Sequence, residues 1–228
     1  MSDQAAIEAL HQLLLRAPAG APPPVAWKVA LNVAAFQKRL GLTHALAAPI
    51  GRLENHASGE LLGGSPLRDL HVEAEIAICL ANDLSEPVAP EILRASVESY
   101  APCLELVDYG LPRTGLPSLF EHRFFHAGVV LGASVLRDSY RPLPPAFPQA
   151  SDVLSRVHGR VADTVPDDLI EALAGVLERA LEAGTQLYRG QLVLCGSYIN
   201  PMPLPPGARI RVDYGPQYSV LEIARSPS

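Results

Sequence analysis

Cysteine is scarce in this 228-residue chain: Cys79, Cys103 and Cys195 are far apart, odd in number and set among apolar residues. Such a set builds no disulfide framework and no paired-cysteine zinc site, so reduced thiols in a cytoplasmic core are expected. Charge is thin as well. Asp, Glu, Lys and Arg make up 18% of the residues and sum to a net charge of -6 without any basic run, which excludes the electrostatic footprint of a nucleic-acid binder. Long apolar helices are missing too. The longest uncharged stretch, 190–208, holds Pro201, Pro203, Pro205 and Pro206 and cannot run as a membrane-spanning helix of about 20 residues. The N-terminus carries Asp3, Glu8 and His11 where a secretory signal needs a basic start and an unbroken apolar stretch. A cytoplasmic protein with no membrane or nucleic-acid partner is therefore expected.

Several common chemical signatures are also absent. There is no GxGxxG, GxSxG or HExxH, and Gly110–Gly115 has phosphate-loop spacing but is followed by Leu116 and Pro117 instead of lysine and a hydroxyl residue. What the chain does have is apolar mass and turns. Hydrophobic residues reach 48% and prolines number 22, roughly twice the average share of proline. Mean hydropathy is +0.15 and the mass 24.4 kDa, enough for one core and suited to short strands over a helical bundle.

Periodicity gives the organisation. Ile7, Leu10 and Leu14 repeat at helical spacing over 3–16, and the proline-rich 17–24 ends that helix. Residues 1–24 are read as a helix and linker, and 25–228 as one domain. Residues 25–31 alternate, with Lys28 between Ala26 and Ala30 on one face. Asn32 is the expected N-cap of a helix closed by Gly41, and 43–69 reads as loop. Residues 70–80 alternate again, a helix is expected over 90–100, a strand over 103–107, irregular chain over 109–122 and a buried strand over 127–136. Residues 141–149 read as a surface loop and His158-Gly159 as a hairpin turn between Val157 and Val161. Asp167 is expected to cap a helix carrying Ile170, Leu173, Leu177 and Leu181, closed by Gly184. Strands over 191–197, 209–214 and 218–223 complete an α+β domain that is mostly β with a few peripheral helices.

The chemistry concentrates in acidic side chains within these strands. In His71-Val72-Glu73-Ala74-Glu75-Ile76, a strand puts Glu73 and Glu75 on one face about 6.6 Å apart. Such a pair is either the solvated face of a half-buried strand or one side of a cation site. Glu105, inside Cys103-Leu104-Glu105-Leu106-Val107, is too apolar in its surroundings to ionise without an arginine partner or a metal. Three carboxylates without a cysteine suit a hard divalent cation, Mg2+ or Mn2+, with coordination positions left open.

Trp27-Lys28-Val29-Ala30-Leu31, Val72-Glu73-Ala74-Glu75-Ile76-Ala77, Leu104-Glu105-Leu106-Val107-Asp108, Gly128-Val129-Val130-Leu131-Gly132, and Leu192-Val193-Leu194-Cys195-Gly196-Ser197 with Pro206-Gly207 occur in that order. In this the chain, over residues 25 to 224, resembles the fumarylacetoacetate hydrolase superfamily, above all its 2-keto-4-pentenoate hydratase and 4-oxalocrotonate decarboxylase branch. The resemblance implies a mixed β-roll assembled as a homo-oligomer, on occasion with a related family subunit. It implies metal ligation by Glu73, Glu75 and Glu105 and an active-site lysine at Lys28. The implied activity is a Mg-dependent lyase of aromatic catabolism that hydrates a small unsaturated 2-oxo or 2-hydroxydienoic acid. The alternatives are decarboxylation, C–C hydrolysis of an acylpyruvate, or a non-catalytic partner subunit. Lys28, near a cation and flanked by alanines, is expected to have a lowered pKa and to exchange protons near neutrality. Where the branch carries an Asp-Asn pair, this chain reads Glu121-His122-Arg123-Phe124-Phe125-His126, and Leu53-Glu54-Asn55-His56 stands where the family often has an aspartate. Glu121 with His122 is the candidate replacement acid or base. Leu53, Glu54 and Ser197 are the candidate substrate contacts.

Overall fold

The computed structural model describes residues 3–16, 22–63, 67–112, 116–152, 157–159 and 168–227. In chain order the elements are α1 (Asp3–Leu15), β1 (Ala26–Ala30), α2 (Ala34–Leu40), β2 (Leu46–Ile50), β3 (Asn55–His56), β4 (Glu60–Leu62), β5 (Leu70–Leu80), α3 (Pro90–Ala95) and β6 (Val97–Asp108). There follow α4 (Leu116–Glu121), β7 (His126–Leu131), β8 (Val135–Leu136), β9 (Gln149–Ser151), β10 (Val157–His158), α5 (Leu169–Glu182), β11 (Leu192–Leu194), β12 (Met202–Pro203), β13 (Arg209–Asp213) and β14 (Leu221–Arg225). This is the α+β, mostly β class expected. Among the described residues a larger mixed sheet runs β2-β1-β11-β5-β6-β7-β3, with β12 beside β5 and β8 beside β6. A smaller sheet runs β10-β9-β13-β14-β4.

The alternation in 70–80 explains the layering. Leu70, Val72, Ala74, Ile76, Ile78 and Leu80 enter the main core, which the smaller sheet and α5 cover from the other side. Leu173 and Leu177 of α5 pack there beside Trp27 and Val29 of β1, and burying each leucine contributes about 1.5–3 kcal/mol. His71, Glu73, Glu75, Ala77 and Cys79 take the opposite face. It is no solvated surface, because Glu75 is 1% exposed and Ala77 is packed into a second cluster with Cys103 and Val129. Helix α1 closes the open edge of the larger sheet: His11 Nε2 lies 2.7 Å from the Ala47 carbonyl oxygen of β2, occupying backbone that a foreign strand could otherwise pair with.

Several elements differ from the sequence reading. The expected loop 43–69 contains β2, β3 and β4, and β6 is a 12-residue strand that begins where the helix over 90–100 was expected to continue. The irregular stretch 109–122 includes α4, and the strand over 127–136 breaks between β7 and β8. Asn32 is not a cap: α2 follows Val33, although Gly41 ends it as expected, at φ 69°. Asp167 lies outside the described residues. The cap of α5 is Asp168, whose carboxylate accepts from the Ile170 N–H. Val161 also lies outside them, and His158 belongs to β10, opposite Ala150 of β9, instead of forming a turn.

The large sheet must coil. Lys28 Nζ donates to Glu105 Oε1, yet β1 and β6 are separated by β11 and β5. In a flat sheet three strand spacings are about 14 Å. Lys28 lies in register with Leu194 and Ala77, whereas Glu105 lies opposite Glu73, four residues further along β5. Two extended side chains cannot span that diagonal across a flat surface, so the sheet curls β1 over β6, as the strong twist of a roll requires.

Candidate active site

Strands β5 and β6 present Glu73 directly opposite Glu105, with Glu75 opposite Cys103. Oxygens of Glu73, Glu75 and Glu105 all lie within 4.8 Å of one another. Glu105 is fully buried and its Oε1 is held from two sides, by Lys28 Nζ and by His126 Nδ1 at 2.8 Å. Its other oxygen, Oε2, is buried with no hydrogen-bond partner. Glu75 Oε2 accepts from the Gly196 N–H at 2.8 Å, and Glu73 Oε1 accepts from the Tyr109 hydroxyl at 3.4 Å. Gly196 is required for its contact: its φ is +96°, and a Cβ there would stand 2.7 Å from Asn32 Nδ2.

The protonation behaviour follows from crowding. Burial, then the charge of Glu105, pushes Glu73 up to about 7. Burial with the charges of Glu105 and Glu73 pushes Glu75 well above the carboxylate range. Glu105 is buried too, but Lys28 and His126 overcome this and pull it down to about 2. Lys28 corrects an expectation. Burial draws its pKa down, but Glu105 and Glu73 outweigh burial and hold the ammonium above the usual lysine range. The lowered lysine pKa foreseen from the sequence underweighted the adjacent carboxylates.

These residues fit a hard divalent cation. Three carboxylates converge, one lysine offsets a single charge, and a buried oxygen of Glu105 lacks a donor. An orphaned carboxylate oxygen in an all-oxygen cluster is what a cation would satisfy. The Mg2+ or Mn2+ ligands would be Glu73, Glu75 and Glu105.

A cavity of about 260 Å³ opens beside the cluster, with Lys28, Glu73, Tyr109, Asn32, Ser197 and Asn200 among its lining residues. Leu31, Val33, Leu119, Phe124, Phe125 and Ile199 supply its apolar wall. Phe124 and Phe125 reach it from a left-handed turn in which Arg123, Phe124 and Phe125 have φ of 47°, 53° and 65°. Left-handed non-glycine residues cost roughly 1–2 kcal/mol each, and such strain collects at functional sites.

The remaining predicted site residues are dispersed. Ser197 lines the cavity, but its hydroxyl donates to the Ile199 carbonyl at 2.7 Å, so that proton is already engaged. Glu54 is exposed and paired with Arg52, and Leu53 packs against a satellite core that includes Cys103 and Val129. Glu121 is exposed, and the His122 ring stacks on Phe125, 6.1 Å between centroids, without lining the cavity. The structure brings none of Glu54, Leu53, Glu121 and His122 to the cavity beside the carboxylates.

Sequence reasoning missed two groups. Tyr109 shares the strand parity of Glu105, so extending β6 by two residues would have found it. His126 had no such signal. Leu106 pairs with Gly128 but Val107 pairs with His126, so the extra residue Ala127 forms a bulge that turns His126 onto the glutamate face.

No protein-family model matches the sequence, and no curated protein matches it. Solved structures do. 4-Oxalocrotonate decarboxylase from Pseudomonas putida G7, complexed with magnesium and adipate, superposes with a TM-score of 0.73 at 16% identity, covering 98% of this chain and 96% of that chain. 5-Carboxymethyl-2-hydroxymuconate delta-isomerase from Mycobacterium smegmatis gives 0.62 at 15% identity, covering 91% and 81%. Fumarylpyruvate hydrolase from Pseudomonas aeruginosa, in complex with Mn2+ and pyruvate, gives 0.57 at 15% identity, covering 91% of each chain. With the coiled sheet and the order of its strands already described, these likenesses show that the chain has the fold of the fumarylacetoacetate hydrolase superfamily, the one its sequence resembles.

Proposed function

We propose that this protein is a divalent-metal-dependent hydratase that adds water to a small 2-hydroxy-2,4-dienoate, or its unsaturated 2-oxo tautomer, to give a 4-hydroxy-2-oxo acid. The observation that carries this reading is the meeting of Glu73, Glu75 and Glu105 beside Lys28 at the edge of a largely apolar cavity. A divalent cation held there supplies Lewis-acid stabilisation of an enolate oxygen; magnesium and manganese accompany the similar decarboxylase and hydrolase.

The chain's own residues supply the rest. Lys28 lines the cavity and its Nζ is bonded to Glu105, so we assign it the transfer of a proton between substrate carbon and the carboxylate cluster as the dienol becomes the conjugated ketone. The Tyr109 hydroxyl stands against Glu73 on the same wall and is a second proton donor within reach. Leu119, Phe124, Phe125 and Ile199 hold the unsaturated chain and keep bulk water out, so that water adds at the distal alkene carbon.

Among the described lining residues Lys28 is the only cation. A second carboxylate at the far end of a substrate would be desolvated there without a partner, at a cost of several kcal/mol, which favours hydration of a monocarboxylate. Decarboxylation of a 4-oxalocrotonate-like acid is the second reading, supported by likeness to the decarboxylase across 97–98% of this chain. C–C hydrolysis of an acylpyruvate needs a group that activates water, and His122, the candidate base, does not line the cavity.

The test is to incubate the Mg2+-loaded protein with a 2-hydroxy-2,4-dienoate and with a 4-oxalocrotonate-like acid, following dienol absorbance and CO2 release. Loss of absorbance with formation of the hydroxy-oxo acid is expected. CO2 from the dicarboxylate would replace hydration by the second reading, and metal binding without turnover of either would leave a non-catalytic subunit.

A further inference from the structure

A second cavity, of about 230 Å³, lies where the C-terminal end of α1 meets β1, β2 and the left-handed turn. Its described wall includes Arg16, Arg123, Trp27, Leu14, Pro49 and Thr185, and no acidic residue. Both arginines are exposed, and neither makes an ion pair with a described residue. Trp27 is among the lining residues, is fully buried beneath the cavity floor, and its indole N–H has no hydrogen-bond partner. Buried tryptophan N–H groups ordinarily find one.

We infer that this cavity is a binding site for an organic carboxylate carrying a flat apolar body. The carboxylate meets the two unopposed guanidiniums, which suit it in bidentate geometry. The body lies against Leu14, Pro22 and Pro49, over Trp27. The size is adequate, since an apolar cavity of about 150 Å³ already takes up benzene. The site is separate from the catalytic one, because the two cavities share none of their described lining residues. The inference does not depend on the hydratase reading.

Trp27 is the only tryptophan in the chain and lines this cavity and not the catalytic one. Its fluorescence is therefore the readout, with Glu75→Gln as the control for the other site. The experiment titrates the full chain with sodium benzoate and, in a second arm, with sodium phosphate. It is repeated on Arg16→Gln, on Arg16→Gln/Arg123→Gln and on Glu75→Gln. A saturable change with benzoate is expected, at least 10-fold weaker in the double variant, intermediate in Arg16→Gln, unchanged in Glu75→Gln and absent with phosphate. The inference is overturned by the lack of a saturable change, by equal affinity in the arginine variants, by an equal response to phosphate, or by loss of the response in Glu75→Gln.

Discussion

Glu75 is the side chain through which metal binding can be tested with least damage to the fold. It is buried, and its surroundings push its carboxyl toward the neutral form. Glutamine nearly reproduces that neutral shape and can still accept from the Gly196 N–H. Glu75→Gln should therefore stay folded by circular dichroism while Mn2+ binding, measured by calorimetry, weakens by at least about 10-fold. Unchanged affinity would remove Glu75 from the site. Lys28→Met separates another pair of roles. If Lys28 moves protons, kcat drops by about 10²–10⁴ while the cation still binds; loss of both together would reduce Lys28 to a support for Glu105. Strand alternation makes Glu73, Glu75 and Glu105 legible as candidates, since it assigns the first two to one face and sets Glu105 among apolar neighbours. The role of Lys28 is legible only through the family resemblance. Glu121, His122, Leu53 and Glu54 were drawn from segments without periodicity. Nothing in such a stretch says where a side chain points.

At the level of elements, the turn after β11 does the positioning. Gly196 leaves the strand at φ +96° and aims its N–H at Glu75 while Asn32 packs where a Cβ would stand. Gly196→Ala should cost about 1–3 kcal/mol in urea unfolding. Part of that cost should return in an Asn32→Ala background, which removes the clash but not the backbone strain, and a purely additive pair would show that the contact with Asn32 carries no energy. Element boundaries were less legible than element faces. β2 escaped notice because Ala47, Ala48 and Pro49 carry little strand signal, yet Pro49 is tolerated in this edge strand opposite Trp27. The helix α3 was overextended because Val97 begins a strand in which apolar residues are buried on both faces, a pattern that has no period to read. The stripe of α5 was plain, but two consecutive aspartates, Asp167 and Asp168, offer a cap, and choosing between them needs the backbone.

For the whole molecule, the carboxylate cluster predicts an unusual dependence of stability on pH. Glu73, pushed to about 7, and Glu75 both have folded pKa values above their unfolded ones. Their contribution is fully present below the unfolded carboxylate pKa, near 4.5, and is lost as pH rises through about 7 for Glu73 and through the raised pKa of Glu75. His11 works the other way. Burial lowers its pKa from 6.5, so its contribution grows until the unfolded imidazole is neutral and is then constant. Glu105, pulled down to about 2, changes nothing above the unfolded carboxylate range. Above pH 6.5 no more than half of the unfolded imidazole is still protonated, so the remaining His11 gain is under about 0.5 kcal/mol and the two carboxylates outweigh it. In chelator the midpoint of thermal unfolding should fall by about 4 °C or more between pH 6.5 and 8.5. Saturating Mg2+ should stabilise the protein more at pH 8.5 than at 6.5, because a ligand that binds only the folded state adds stability in proportion to its binding free energy and the ionised carboxylates bind it better. Glu75→Gln should flatten the slope in chelator. A midpoint that rises with pH in chelator, or a Mg2+ effect independent of pH, would mean that the three glutamates do not share one charge-crowded site, and the proposed metal centre would fail with them.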